Sequence, residues 1–273
     1  MSLKKYPIEN RKSTIEEIYN LISIIDLLDV VTKNTLVVFD IDDVLITPSS
    51  EDDVRHPYRS QLLQLILNHI DPQKIPLLKS SIFVNSKHIL VESRITEIFE
   101  NLKLYKIPAI ALTAMGTGKF GIVKKMHEFR AEQLDSFNLS FKHLTPIDDE
   151  HVILQLAKIN KSLDTPCKGS PRLKSGIIFT SGVDKGMVLE YILKKYNYYP
   201  KAMIFIDDLI ENIESLQQTC LKLNIKFHGF HYKAAALMPL PTIDEDLEKL
   251  RFAILEKEFT WLSHEKLKQK QYS

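Results

Sequence analysis

Only two cysteines, Cys167 and Cys220, occur in the sequence, far apart and without metal-type spacing. A cysteine-held metal site is therefore excluded, while a reduced pair, a single disulfide and two unrelated thiols all remain open. Long hydrophobic runs are missing as well, so no segment spans a bilayer as a helix. Charge of one sign is not in excess: with a formal net charge of +1 and a pI near 7.7 there is no large basic field. Nucleic acid and membrane surfaces are thus not indicated as partners. The opening Met-Ser-Leu-Lys-Lys-Tyr-Pro is basic but runs into polar residues, not into the apolar core of a signal peptide. Cytoplasmic localisation is the default expectation, with a trimmed secretory leader left open. Internal repeats and low-complexity segments are absent.

What is present is an ordinary globular composition, 44% hydrophobic and 26% charged over 273 residues, enough to bury a sizeable core. One main domain with an insertion fits better than two equal domains. A capping-box pattern at Ser13-Thr14-Ile15-Glu16 predicts a helix whose Ile15, Ile18, Ile22, Ile25 and Leu28 form one buried stripe. Leu36 to Phe39 is a short continuous apolar run ending at Asp40, the pattern of a parallel strand covered on both faces. Residues 46–105 read as a cap insertion, with Pro48, Pro57, Pro72 and Pro76 around one helical stretch from Gln61 to Ile70, then a helix over 91–104.

Further strands are predicted over Ala109–Leu112, Gly176–Thr180, Ala202–Ile206 and 225–232. Helices are predicted around Ile122, Met126 and Phe129, over 149–160, from Asp184, and along Leu209, Ile213, Leu216 and Cys220. That last stripe makes Cys220 a buried structural thiol. A final helix opens at Thr242-Ile243-Asp244-Glu245. The polar loop Thr165–Ser175 is either a lid or a connector. The alternation of strand and helix specifies an α/β fold: an open, mostly parallel, Rossmann-like sheet with helices on both faces and a small, mainly helical cap insertion. Residues 1–45 and 106–273 form the core, with an extra insertion at 133–175.

In such sheets ligands lie beyond the carboxyl ends of the strands. The residues there are Asp40-Ile41-Asp42-Asp43, Thr113, the segment leading to Lys185, and Asp207-Asp208. Carboxylates gathered on one rim repel unless a cation joins them, and a set of hard oxygen ligands without His or Cys fits Mg2+. A nearby lysine and hydroxyl suit a phosphoryl group.

Phe39-Asp40-Ile41-Asp42-Asp43-Val44-Leu45 resembles the first motif of the haloacid dehalogenase superfamily. Ile110-Ala111-Leu112-Thr113 resembles the second, Lys185 the lysine of the third, and Ile204-Phe205-Ile206-Asp207-Asp208 the acidic fourth. The Phe-Asp-Ile-Asp-Asp string is similar to the acid phosphatase and nucleotidase branches. The resemblance implies a phosphatase acting on a small phosphorylated substrate. Asp40 would be the nucleophile that forms an aspartyl-phosphate, and Asp42 the general acid and base. Thr113, Ala114 and Lys185 would hold the phosphate, while Asp40, Asp42, Asp207 and Asp208 would hold Mg2+. Glu211 and Asn212 would support the metal water or Lys185. Val44, where many members carry Thr, is a departure at a non-catalytic position.

The alternatives within the same fold are a phosphotransferase that passes the phosphoryl group to an alcohol, and an idle domain acting as an interaction protein. A response-regulator receiver has its acidic pair, phosphorylated Asp, Thr and Lys in a different order. Elsewhere the bland readings prevail: His56 and Arg59 as solvated cap residues, Lys168, Arg172 and Lys174 as a solvated charge run, and His228 and His231 as structural.

Overall fold

The computed structural model describes residues 7–28, 30–147, 150–157 and 169–271. In chain order the strands are β1 (Thr14–Ile18), β2 (Thr35–Phe39), β3 (Ile46–Pro48), β4 (His88–Leu90), β5 (Ala109–Thr113), β6 (His151–Val152), β7 (Arg172–Lys174), β8 (Ile177–Phe179), β9 (Ala202–Asp207) and β10 (Lys226–Tyr232). The helices are α1 (Ile22–Leu28), α2 (Pro57–Leu67), α3 (Ile75–Asn85), α4 (Arg94–Leu104), α5 (Met126–Ser136), α6 (Leu154–Ala157), α7 (Lys185–Lys195), α8 (Ile210–Lys222), α9 (Glu245–Glu258) and α10 (His264–Gln271). Contacts divide the chain into two units, one of residues 1–46, 90–118 and 126–236, the other of 47–89, 119–125 and 237–273.

The first unit is built on an eight-stranded sheet in the order β1-β10-β9-β2-β5-β8-β7-β6, parallel from β1 to β8 and antiparallel over the last two pairs. Every residue of β2 is buried because helices cover both faces. Leu36 and Val38 join Ile110, Ile178 and Phe205 under Val188, Leu189 and Ile192 of α7 and Ile213, Leu216 and Cys220 of α8. Phe39, of opposite pleat, meets Phe99 of α4 and Phe141 at ring-centroid distances of 5.8 and 6.2 Å. Chain order takes β5 and β8 to one side of β2 and β9 and β10 to the other. The carboxyl ends of β2 and β9 therefore flank the switch point where such sheets bind ligands.

The N-terminal helix expected from Ser13 does not form. Thr14–Ile18 instead pairs in parallel with β10, from Thr14 opposite His228 to Ile18 opposite Tyr232. The capping hydroxyl is engaged elsewhere, Ser13 Oγ accepting from Phe227 N at 3.1 Å. Three of the five strand residues, Thr14, Ile15 and Ile18, are β-branched and fit an extended edge. Helix begins only at Ile22, where Asn20 Oδ1 accepts the first amide.

Three further departures come from local chemistry. Of the helix expected over 149–160, Leu154–Ala157 is helical and His151–Val152 is strand, while 149 and 158–160 lie outside the described residues with Cys167 and Lys168. In the polar loop, Arg172–Lys174 is a strand, and Lys174 lies 3.3 Å from Glu150. α5 starts at Met126, not Ile122. Cys220 is a buried free thiol, its Sγ 3.6 Å from Met203 Sδ.

The second unit is mainly helical. Its prolines start helices instead of breaking loops: Pro57 and Pro76 occupy the first turns of α2 and α3, where their missing N–H costs nothing. α3 was not legible for that reason. Gly121, at φ 50°, lies so close to Pro76 O and Ser80 Oγ that a Cβ would stand 2.3 and 2.0 Å from them, which ties 119–125 to α3. Against the expected division, residues 46 and 90–105 fall in the sheet unit, and 119–125 and 237–273 join the helical unit. Phe252, Leu255 and Trp261 share a core there with Ile66, Leu78 and Ile82. The cap of α9 is Asp244, accepting from Leu247 N at 3.0 Å, not Thr242.

Arg59 is not solvated. Its guanidinium donates to Glu248 at 2.9 Å with both side chains almost fully buried, and Arg251 joins Glu248 and Asp52 at 3.5 Å. His56 caps α2, accepting from Tyr58 N. Breaking one partner of a buried pair strands the other charge. Arg59→Met is expected to destabilise the protein by about 3 kcal/mol, and Arg59→Met with Glu248→Met to recover more than half of that, both read from urea unfolding. A single-substitution cost below about 1 kcal/mol would show that the pair is solvated.

Candidate functional site

The centre of the site is a buried ammonium. Lys185 opens α7 behind its cap Asp184, and its Nζ lies 2.8 Å from Asp40 Oδ1 and 2.7 Å from Asp207 Oδ2. Asp40 follows β2 and Asp207 ends β9, adjacent strands, so sheet pairing brings two distant aspartates together. Burial lowers the pKa of Lys185, but Asp40 and Asp207 outweigh it and leave the ammonium above its ordinary value.

α7 is held in place by close packing on α8. A Cβ on Gly186 would stand 2.4 Å from Ser215 Oγ and 2.7 Å from Ser215 O, so only glycine allows this approach. Ser215 Oγ donates to Asp184 Oδ2 at 2.7 Å and accepts from Gly186 N at 3.2 Å, locking the turn that carries Lys185. On α8, Asn212 donates to Asp207 Oδ1 at 2.9 Å, as does the amide of Leu209. Glu211 is exposed. His231 and Lys233 both hold the backbone carbonyl of Asp208.

Asp40, Asp207 and Asp208 each offer a carboxylate oxygen, and these oxygens lie within 4.8 Å of one another. Three negative charges against the single positive charge of Lys185 leave two uncompensated when all are ionised. The donor set is oxygen alone, so this group could hold a hard divalent ion. Burial, with Asp207 and Asp42 adding to it against the pull of Lys185, raises the Asp40 carboxyl well above the carboxylate range. Burial, helped by Asp207 and Asp43, raises Asp208 to about 6.

The other predicted residues take different places. Thr113 is buried at the end of β5, its Oγ1 accepting from Met115 N at 3.2 Å. Ala114 is exposed, and its carbonyl accepts from Gly182 N at 2.9 Å. The carboxylate of Asp42 stands apart from the acidic group. It is half exposed and pairs with Arg130 at 2.7 Å. Sequence reading passed over Arg130. The available signal was its position between Met126 and Leu134 on the buried stripe of α5, where an arginine needs a reason. His228 is buried in β10 with Nδ1 3.2 Å from Thr14 Oγ1, and burial lowers its pKa.

The fold and site together define an α/β protein whose strand ends hold a buried, lysine-bridged acidic cluster. A family described as "Protein of unknown function (DUF2608)" matches residues 11–268, and the chain belongs to that family. An uncharacterized protein of Rickettsia felis is 28% identical over 149 residues, 54% of this chain and 48% of its own length. Another, of Rickettsia prowazekii, is 23% identical over 223 residues, 80% of this chain and 76% of its own. The chain thus spans about half the length of the first and about three quarters of the second. Among solved structures, a haloacid dehalogenase-like hydrolase from Streptococcus pneumoniae aligns with a TM-score of 0.38 and 13% identity, covering 71% of this chain and 93% of that one. A likeness that loose carries no argument about the site. No described helix is long and apolar enough to cross a membrane.

The raised Asp208 carboxyl sets a pH dependence. In the folded protein it keeps its proton up to about 6, against 3.8 unperturbed, so the folded state binds more protons across that window. Its effect on stability is therefore most favourable below about pH 4 and is lost as pH rises through about 6. In the presence of chelator, Asp208→Asn is expected to melt above wild type at pH 8, by about 3 °C per kcal/mol regained, with the gap closing by pH 4. A gap that is constant with pH in differential scanning calorimetry would contradict the raised carboxyl.

Proposed function

We propose that the chain is a magnesium-dependent phosphohydrolase of the haloacid dehalogenase type, acting on a small phosphate monoester. The observation that carries this reading is the placement of Lys185 between Asp40 and Asp207, with Asp208 alongside, at the carboxyl ends of adjacent parallel strands. A nucleophilic carboxylate must be poorly solvated yet able to ionise: burial meets the first need while raising the Asp40 carboxyl, and Lys185 at 2.8 Å favours the charged form against that rise, as a bound cation would. Asp40, Asp207 and Asp208 would hold Mg2+, together with the backbone of Asp42. The ion, when bound, supplies charge neutralisation for the carboxylates and for a phosphoryl group.

Asp40 attacks phosphorus, the new O–P bond forming as the ester P–O bond breaks. Asp42 gives its proton to the departing alcohol oxygen, which takes the electron pair. The same carboxylate, now ionised, takes a proton from water as the water oxygen bonds to phosphorus. The Asp40–phosphorus bond then breaks and inorganic phosphate leaves. Thr113 and backbone amides of the turn that follows it would cradle the phosphoryl oxygens, and Lys185 balances charge on nucleophile and phosphoryl group throughout.

Two outcomes test this reading. Magnesium is expected to raise the melting temperature of the wild-type chain in proportion to the logarithm of its concentration above Kd, and to lose that effect in Asp207→Asn. On a panel of phosphate monoesters, turnover is expected only with magnesium, and Asp40→Asn is expected to reduce it by at least about a thousandfold. Turnover that survives both chelation and Asp40→Asn would overturn the mechanism. Adding an alcohol as competing acceptor and measuring the phosphorylated product separates hydrolysis from phosphoryl transfer.

A further inference from the structure

We propose that Arg130 is a positioning residue for Asp42, holding its carboxylate in one rotamer so that proton transfer to the leaving group needs no side-chain search. This rests on the phosphohydrolase reading above.

Arg130 is fully buried, while the side chain of its partner Asp42 is 49% exposed. That asymmetry sets the pair apart from Arg59–Glu248, where both side chains are buried and the pair belongs to a core. Burying a guanidinium costs several kcal/mol of hydration, and a half-solvated carboxylate returns only part of that. The α5 stripe of Met126 and Leu134 would be filled at less cost by a leucine or methionine. The guanidinium instead spans Asp42 and Gln133, which ties the Asp42 carboxylate to α5.

The backbone beneath Asp42 is already fixed. Leu45 N and Ile46 N both donate to Ile41 O, at 2.9 and 3.1 Å, and Asp43 N donates to Ile46 O at 2.9 Å, with Asp43 at φ 60°. What this tight turn leaves free is the side-chain torsion of Asp42. Arg130 Nη2 removes that freedom by donating to Oδ1 at 2.7 Å, and Arg130 Nη1 is itself anchored on Gln133 Oε1 at 2.8 Å, three residues further along α5. With Oδ1 so engaged, Oδ2 is the oxygen left for proton transfer. The contacts that join Lys185 to Asp40 and Asp207 are separate from this one, so fixing one Asp42 rotamer in advance bears first on proton transfer.

The test exploits leaving-group chemistry. A p-nitrophenolate leaves without a proton, whereas an alkoxide does not, so a defect in proton delivery penalises alkyl esters selectively. In the full-length protein with magnesium, Arg130→Met is expected to lower kcat/KM on an alkyl phosphate by about a hundredfold and on p-nitrophenyl phosphate by less than about tenfold, the pattern expected also of Asp42→Asn. Arg130→Lys is expected to recover part of the alkyl activity. Combining Arg130→Met with Asp42→Asn should be no worse than Asp42→Asn alone. Gln133→Leu, which loosens the guanidinium while keeping both charges, carries the same comparison if Arg130→Met does not fold. Equal losses on the two esters, or additive losses in the double variant, would overturn the positioning role while leaving the phosphohydrolase reading intact. A wild-type chain that turns over neither ester with magnesium would overturn both.

Discussion

A single ammonium between two buried carboxylates is the constraint on which the rest of the sheet unit depends. Lys185 sits in the first turn of α7, where the helix dipole disfavours a cation. Asp40 and Asp207 reverse that penalty at 2.8 and 2.7 Å, and neither carboxylate would tolerate burial without the lysine. The three groups are mutually necessary, so the elements that carry them must meet within tenths of an ångström. The Cβ-free contact of Gly186 with Ser215, the Ser215–Asp184 hydrogen bond and the clamp of Asn212 on Asp207 all follow from that demand.

Charge is handled differently in the helical unit. Asp52, Arg59, Glu248 and Arg251 are all buried and balance one another, two acids against two bases, with Arg251 also stacked 4.7 Å from the Trp261 ring centre. Such a network joins segments far apart in sequence but has little room for a ligand. The acidic cluster is the opposite case: three carboxylates meet a single lysine, and burial raises two of them, Asp40 and Asp208, above the carboxylate range. Balanced burial reads as architecture, and unbalanced burial as a site.

Elements were legible where a single physical rule dominated. β2, β5 and β9 are buried throughout and almost continuously apolar, the appearance of a parallel strand covered on both faces. α7 and α8 showed stripes that packing preserved. Of the helix expected from Ser13 only Ile22–Leu28 forms, because over Thr14–Ile18 the apolar spacing suits a helix while the β-branched residues suit a strand, and the open edge of β10 decided between them. α3 was missed because proline marks a helix start as readily as a loop. Arg59 was read as solvated and Arg130 passed over because an arginine carries no sign in its own sequence of whether a carboxylate will be found across space.

From the sequence alone came the α/β alternation and the order of the four acidic, hydroxyl and lysine positions, because strand burial and helix periodicity are local properties written into neighbouring residues. The tertiary structure alone decided which aspartates gather around Lys185 and which does not. Asp40 and Asp42 are two residues apart, yet one turns inward to Lys185 and the other outward to Arg130. That choice depends on partners 145 and 167 positions away for Asp40, at Lys185 and Asp207. For Asp42 it depends on a partner 88 positions away. No local pattern encodes a contact made across a sheet.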